Sequence, residues 1–311
     1  MVKSSVVPGT TENIVTPILE KGSGRKAGKD LGVAMNPEFL REGRAVLDFM
    51  NPDRIVIGAS DSGSAEVLER LYSKFRCPVI RTTPGTAEMI KYASNAMLAT
   101  KISFINEIGN LCKKLGIDTY EVADGMGLDG RIGRQFLDSG IGYGGSCFPK
   151  DVRAIAAASR KGGMKLSILE SVEDVNRNQP LKMIEILKRK LPALRNKTVA
   201  VLGLAFKPGT DDIREAPSLR IVEALVAGGA NVRAHDPQAA ENFRKVFPGI
   251  VYCGSVEDAL EAADACLLLT EWPEYRELAE EDFKPMRGKV IIEGRRILDR
   301  KKVKNFEGVC W

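Results

Sequence analysis

Beyond residue 197 the chain alternates apolar runs with helical stretches so regularly that few folds can hold it. Residues 198–204 form an almost pure apolar run, 218–227 have helical periodicity, and 231–234 form a second run ending in His235-Asp236-Pro237. The alternation continues through 239–246, 251–252, 256–262, 265–269 and 289–292. A strand apolar on every residue must be covered on both faces, and helices between successive strands supply those covers. The pattern predicts a parallel, doubly wound sheet.

Upstream, residues 84–116 carry apolar side chains at Met89, Tyr92, Ala93, Ala96, Met97, Ile102, Ile105, Ile108, Leu111 and Cys112. This spacing predicts one helix of roughly 30 residues, long enough to join domains or to form a dimer face. Helical stretches at 118–124, 151–161 and 168–190 extend a helical middle section. At the start, 2–7 read as a strand, Pro8-Gly9 as a turn, and Thr10-Thr11-Glu12 as a helix start leading into 14–21. Strands at 31–35 and 55–58, a helix at 65–75 and an extended run at 78–82 complete half of an α/β unit. The expected division is 1–83, 84–190 and 191–311.

A single histidine, His235, among 311 residues excludes histidine clusters and multi-histidine zinc sites, and no metal site is expected. The net charge of +5 is spread along the chain and aromatics are only 6%, which suits a small anionic ligand better than a nucleic acid. Six cysteines show no C-x-x-C pair, and a chain of this length does not need disulfides, so a reducing cytoplasm is expected. The first residues lack an apolar signal region, and no apolar run approaches a membrane span, so neither export nor a membrane is expected.

Three glycine patterns need weighing. Gly22-x-Gly24-x-x-Ala27 and Gly125-x-Gly127-x-x-Gly130 match a dinucleotide fingerprint as text, yet each follows a helical stretch instead of a strand. Gly203-Leu204-Ala205-Phe206-Lys207-Pro208-Gly209 does leave a strand, but Ala205 and Pro208 replace the later glycines, giving a nucleotide-binding turn without its dinucleotide role.

The most informative segment is Gly142-Tyr143-Gly144-Gly145-Ser146-Cys147-Phe148-Pro149-Lys150-Asp151. Its glycines let backbone approach a ligand closely, and Cys147 stands just ahead of a predicted helix whose positive end, with Lys150, favours a nucleophilic sulfur. The alternative is a small apolar cysteine packed under a glycine loop. Lys91 and Asn95, four apart on one helix face, could address a single ligand atom or simply decorate a surface. Asn36-Pro37-Glu38-Phe39-Leu40-Arg41-Glu42-Gly43 sets two carboxylates just after a strand, where α/β ligand sites lie, though a capping turn would read alike. Residues 207–218, with Lys207 and Arg214, and Gly294-Arg295-Arg296 place cations after strands of the second sheet, where they match phosphates or a carboxylate.

Taken in chain order, these segments resemble the UDP-glucose/GDP-mannose dehydrogenase family through essentially the whole chain, the Gly-Gly-Ser-Cys-Phe-Pro-Lys-Asp stretch most specifically. The resemblance implies a partial N-terminal Rossmann-like unit, a central helical dimerisation section and a C-terminal Rossmann-like, UDP-sugar-binding domain. It implies NAD as cofactor and four-electron oxidation of UDP-glucose to UDP-glucuronate, with GDP-mannose or UDP-N-acetylmannosamine as alternative substrates and a non-catalytic UDP-sugar-binding module as the rival of another class. Cys147 would attack the intermediate aldehyde and form a thioester. Lys91 and Asn95 would hold the oxyanion, Asp151 with Lys91 a water, and Glu38 would assist hydrolysis. Leu40, Gly142, Tyr143, Gly144, Gly145, Ser146, Lys207 and Arg295 would bind substrate, with Arg131 reaching across a homodimer built on the long helix. Ser5, where the family often has threonine, would contact NAD together with Glu42, Lys150 and Arg214.

One departure from the family pattern stands out. The Gly-x-Gly-x-x-Gly turn and the acidic residue after the second strand do not appear ahead of residues 2–7. The expectation is therefore that residues 1–83 are a remnant lacking most of the NAD-binding domain, and that this form turns over poorly.

Overall fold

A computed structural model describes residues 1–311. The chain divides into two compact units, Met1–Met97 with Asp151–Lys165, and Leu98–Lys150 with Leu166–Trp311.

The first unit holds a three-stranded sheet in the order β1 (Ala34–Met35), β2 (Ile55–Ala59), β3 (Val79–Thr82). β1 lies antiparallel to β2, and β2 parallel to β3. Its helices are α1 (Thr16–Ser23), entered through a π-helical turn at Thr11–Val15, then α2 (Ala45–Met50), α3 (Ser62–Leu71) and the first part of α4 (Pro84–Leu115). Side chains alternate across a strand, so Ile55 and Ile57 pack with Ala65, Leu68 and Tyr72 on one face while Val56 packs with Met35 and Ala87 on the other. α3 starts where Asp61 accepts the Ser64 N–H, a cap worth about 1 kcal/mol.

Two expected strands shrink here. Of residues 2–7 only Val2 pairs, bridging Met35 in parallel through Val2 N–H to Ala34 O (2.7 Å) and Asn36 N–H to Val2 O (2.8 Å). A β-rich run becomes a strand only where its amides meet a neighbour, and residues 3–7 turn away to Thr10, whose N–H bonds Val7 O. Of residues 31–35 only Ala34–Met35 is strand, because Leu31 closes a tight turn with Lys26 and Gly28. The helix α2 falls in a segment that periodicity left unassigned.

The second unit contains the rest of α4, α5 (Thr119–Gly127), the first turn of α6 (Phe148–Lys161), and α7 (Ser167–Lys190). A six-stranded parallel sheet follows, built from β4 (Thr198–Leu202), β5 (Asn231–His235), β6 (Val251–Tyr252), β7 (Ala265–Leu268), β8 (Val290–Glu293) and β9 (Glu307–Gly308). Its order, β6-β5-β4-β7-β8-β9, is that of a Rossmann sheet, as the alternation predicts. The connecting helices are α8 (Pro217–Ala227), α9 (Ala240–Arg244), α10 (Val256–Leu260) and α11 (Pro273–Arg276). The central strands carry Val199, Ala200, Val201, Leu202, Ala265, Leu267 and Leu268 at zero exposure, and each large aliphatic so buried contributes about 1.5–3 kcal/mol. The topological switch lies between β4 and β7, and ligands in such sheets bind beyond the strand carboxyl ends there.

Candidate active site

Candidate residues of the first unit gather around α4. Lys91 is 3% exposed, and its Nζ lies 3.3 Å from Glu38 Oε1 and 5.3 Å from the centroid of the Phe39 ring. Burying an ammonium is costly unless it is paired, and Glu38 is that pair. Glu38 is itself oriented by its own turn, Oε2 accepting the Leu40 N–H at 2.7 Å. One helical turn beyond Lys91, Asn95 Nδ2 donates to Asp151 Oδ2 at 2.6 Å, with Asp151 only 1% exposed. The i, i+4 spacing thus does bring both α4 side chains to carboxylates, Lys91 to Glu38 and Asn95 to Asp151.

Candidate residues of the second unit gather on the glycine loop ahead of α6. Gly145 has φ +84°, its N–H donates to Arg214 O at 2.8 Å, and a Cβ placed on it would stand 2.7 Å from the Phe206 ring. Arg295 donates to Gly142 O at 2.7 Å and approaches Glu271 at 3.5 Å. Tyr143, buried, presents its ring edge-on to Phe148, with centroids 5.8 Å apart. Cys147 is exposed, stands immediately before the first turn of α6, and has Ser146 Oγ 3.7 Å from its sulfur. An accessible thiol on an anchored loop at a helix N-terminus can act as a nucleophile.

Lys207 Nζ lies 5.3 Å from the Phe206 centroid, and Arg214 is gripped by Asp212 through Nε and Nη2 at 2.7–3.0 Å. Arg131 is almost wholly exposed and held by Asp129, with 2.6 Å between Nη2 and Oδ2. Leu40, Glu42 and Ser5 are half-buried in the first unit, and Lys150 is exposed in the first turn of α6. Both glycine patterns set aside earlier are helical: Gly22 lies in α1 with Gly24 as its left-handed cap, and Gly125 and Gly127 lie in α5.

His235 is structural. It ends β5, buried, with Nδ1 2.9 Å from the Tyr275 hydroxyl, and burial holds its pKa below the usual histidine value. Beside it Asp236 acts as an internal anion for the Gly203 turn. Its Oδ2 accepts the N–H groups of Leu204 (2.6 Å), Ala205 (3.0 Å) and the Trp272 indole (3.0 Å). Those amides are the ones a pyrophosphate would otherwise take, which is the physical form of the lost dinucleotide role. Sequence reasoning passed over Asp236 and the amides Asn106, Asn176 and Gln179, which hold the glycine loop. The available signal was polar residues on the apolar stripe of a helix, as at Gln179, Met183 and Leu187 of α7.

The Glu88 carboxylate takes the N–H groups of Gly9 (2.6 Å) and Thr11 (2.8 Å), so the helical turn at Thr11 is closed to a phosphate. The Ser5 hydroxyl and the Glu42 carboxylate are half-buried groups of the kind that hydrogen-bond ribose hydroxyls, Glu42 already having a partner of its own.

A Rossmann sheet joined to a helical section that carries an anchored thiol is an architecture suited to a nucleotide ligand and thiol chemistry. The chain belongs to the UDP-glucose/GDP-mannose dehydrogenase family: the family's NAD binding domain matches residues 1–76, its central domain 85–178 and its UDP binding domain 200–300. It is 47% identical to UDP-glucose 6-dehydrogenase AglM of Haloferax volcanii over 99% of this chain and 72% of that protein. It is 44% identical to UDP-glucose 6-dehydrogenase TuaD of Bacillus subtilis over 96% of this chain and 64% of that protein. The structure of a UDP-glucose dehydrogenase from Pyrobaculum islandicum superposes with a TM-score of 0.93 at 43% identity, covering all of this chain and 70% of that one.

The NAD-domain match over residues 1–76 overturns the reading of 1–83 as a remnant lacking most of that domain, and makes NAD the cofactor. That reading leaned on an absent glycine turn and an absent acidic residue. The expectation of poor turnover loses its premise. No helix is long and apolar enough to cross a membrane.

Proposed function

We propose that this protein oxidises the C6 alcohol of UDP-glucose to the carboxylate of UDP-glucuronate through a thiohemiacetal and a thioester on Cys147. The carrying observation is the glycine loop that presents an exposed Cys147, anchored by Arg295, Arg214 and Asn176, within a chain whose close relatives are named for this activity. NAD, when bound, supplies the hydride acceptor for both oxidations, with Ser5, Glu42, Lys150 and Arg214 as its proposed contacts.

Asp151, with Lys91, orients a water that takes the alcohol proton. The Cys147 sulfur then bonds to the aldehyde carbon, and the N–H groups of Lys91 and Asn95 hold the oxygen that becomes negative. After the second oxidation Glu38 helps a water break the C–S bond, releasing the acid and restoring the thiol. No step calls for histidine, which agrees with a structural His235. The UDP moiety is assigned to Lys207, Arg295 and the Gly142–Ser146 loop, with Leu40 against the sugar.

The segments 1–83, 84–190 and 191–311 correspond in this reading to cofactor binding, the thiol-bearing helical section, and UDP binding. A cytoplasmic homodimer is part of the proposal. α4 supports it by exposing Met97, Phe104, Leu111 and Leu115, the first three spaced by seven residues along one stripe. Arg131, exposed, would reach the partner's substrate.

The test is NAD reduction by purified protein with UDP-glucose, GDP-mannose and UDP-N-acetylmannosamine side by side. UDP-glucose should give the highest kcat/KM. Preference for either rival would move the substrate assignment, and binding without reduction of NAD by any of the three would favour a binding module.

A further inference from the structure

The loop that carries Cys147 is rich in glycine, and glycine loses more conformational freedom on ordering than any other residue. Something must hold this loop. Asn176, on α7, pairs with both backbone groups of Tyr143: its Oδ1 accepts the Tyr143 N–H at 2.8 Å and its Nδ2 donates to Tyr143 O at 3.0 Å. Three residues upstream Gly140 is bracketed in the same way, its N–H donating to Asn106 Oδ1 and its carbonyl accepting from Gln179 Nε2, both at 2.7 Å. Carboxamides therefore stand in for a neighbouring strand. Gly142, between them, has φ +96°, and a Cβ there would meet Asn176 Oδ1 at 2.8 Å. Pro180, four residues after Asn176 in α7, has no N–H to bond the Asn176 carbonyl, which lies 3.4 Å from that same Cβ position.

We propose that Asn176 is a positioning residue for the Cys147 loop, acting through its paired donor and acceptor on Tyr143. It touches no reacting atom. Its effect on catalysis rests on the functional reading above, whereas its effect on the loop does not.

The chemistry gives a discriminating variant. Asn176→Asp keeps the shape and the acceptor but, when ionised, sets a carboxylate oxygen against Tyr143 O. When protonated it regains one donor. In Asn176→Ala both bonds are lost, and backbone amides of residues 140–147 should exchange with solvent roughly thirtyfold faster than in the wild type, while those of β4 and β7 are unchanged. Asn176→Asp, ionised at neutral pH, should behave likewise. Turnover with UDP-glucose should fall by about ten- to a hundredfold in Asn176→Ala at an unchanged KM for NAD, the cost of misplacing a nucleophile by a fraction of an ångström to one ångström.

The proposal is overturned by unchanged exchange in folded Asn176→Ala or Asn176→Asp, or by a loosened loop with wild-type turnover. If Asn176→Ala does not fold, the exchange of the near-isosteric Asn176→Asp decides. If the wild type oxidises no nucleotide sugar, the functional reading fails, and the exchange measurements still judge the positioning role.

Discussion

Glu293 ends β8, two residues before Arg295, and is wholly buried. Its Oε2 accepts the N–H groups of Ile297 (2.8 Å) and Leu298 (2.9 Å), and its Oε1 the Trp311 indole N–H (3.0 Å), so it shapes the turn that presents Arg295. Burial pushes its carboxyl from 4.5 up to about 7, against the pull of these three hydrogen bonds. The folded protein therefore keeps this proton to higher pH than the unfolded chain does. The associated stability is fully present below about pH 4.5 and is lost as pH rises to about 7, a change of about 3 kcal/mol. Glu293→Gln is neutral at every pH. Its stability relative to the wild type should thus improve by about 2–3 kcal/mol between about pH 5 and pH 8, whatever its absolute stability. Taking this difference removes groups that act oppositely, such as Asp264 and Glu307, whose carboxyls are held low. Urea unfolding followed by tryptophan fluorescence measures it, because Trp311 sits on Glu293. A difference that is flat across that range, or that moves the other way, would show that the three donors keep Glu293 ionised near pH 5 and would refute the reasoning.

Three further outcomes follow from the same geometry. Gly145→Val drives a branched side chain into Phe206 at a φ of +84° and should cost about 2–4 kcal/mol, visible as a lower urea midpoint; adding Phe206→Ala should restore part of it, and full additivity would mean the two do not touch. Asp236→Asn turns an NH2 group towards donors from Leu204, Ala205 and Trp272 or leaves them unmatched, so it should cost roughly 3 kcal/mol; a midpoint unchanged from the wild type would remove Asp236 as the internal anion of the Gly203 turn. Lys91→Met should lower kcat by about two to three orders of magnitude with little change in UDP affinity, and a pure KM effect would move Lys91 from the oxyanion to simple binding.

The sheet of residues 198–293 was legible because its strands are apolar on both faces and its helices fall at regular intervals. The first sheet was less so. Its opening run pairs only at Val2, and whether 3–7 are strand depends on a neighbour, not on their own β-branched character. On the chemistry, Cys147, Lys91, Asn95 and Glu38 stood out as candidates, each with a plain structural alternative, and their proposed roles came from the family resemblance. Asn176, Gln179 and Asp236 did not stand out. Each works through the backbone of a residue more than 30 positions away, such as Tyr143 for Asn176 or Leu204 for Asp236, and polar residues inside helices or after strands usually cap or decorate. The reading of a missing cofactor domain rested on an absent glycine turn and an absent acidic residue, while the family's NAD binding domain matches residues 1–76 without them.

The central claim is that one cysteine carries a single nucleotide sugar through two oxidations. Purified protein supplied with UDP-glucose and excess NAD should form two NADH for each UDP-glucuronate, and Cys147→Ser should bind UDP-glucose yet form no acid. One NADH per sugar with free aldehyde as product, or acid formation by Cys147→Ser at the wild-type rate, would contradict the account.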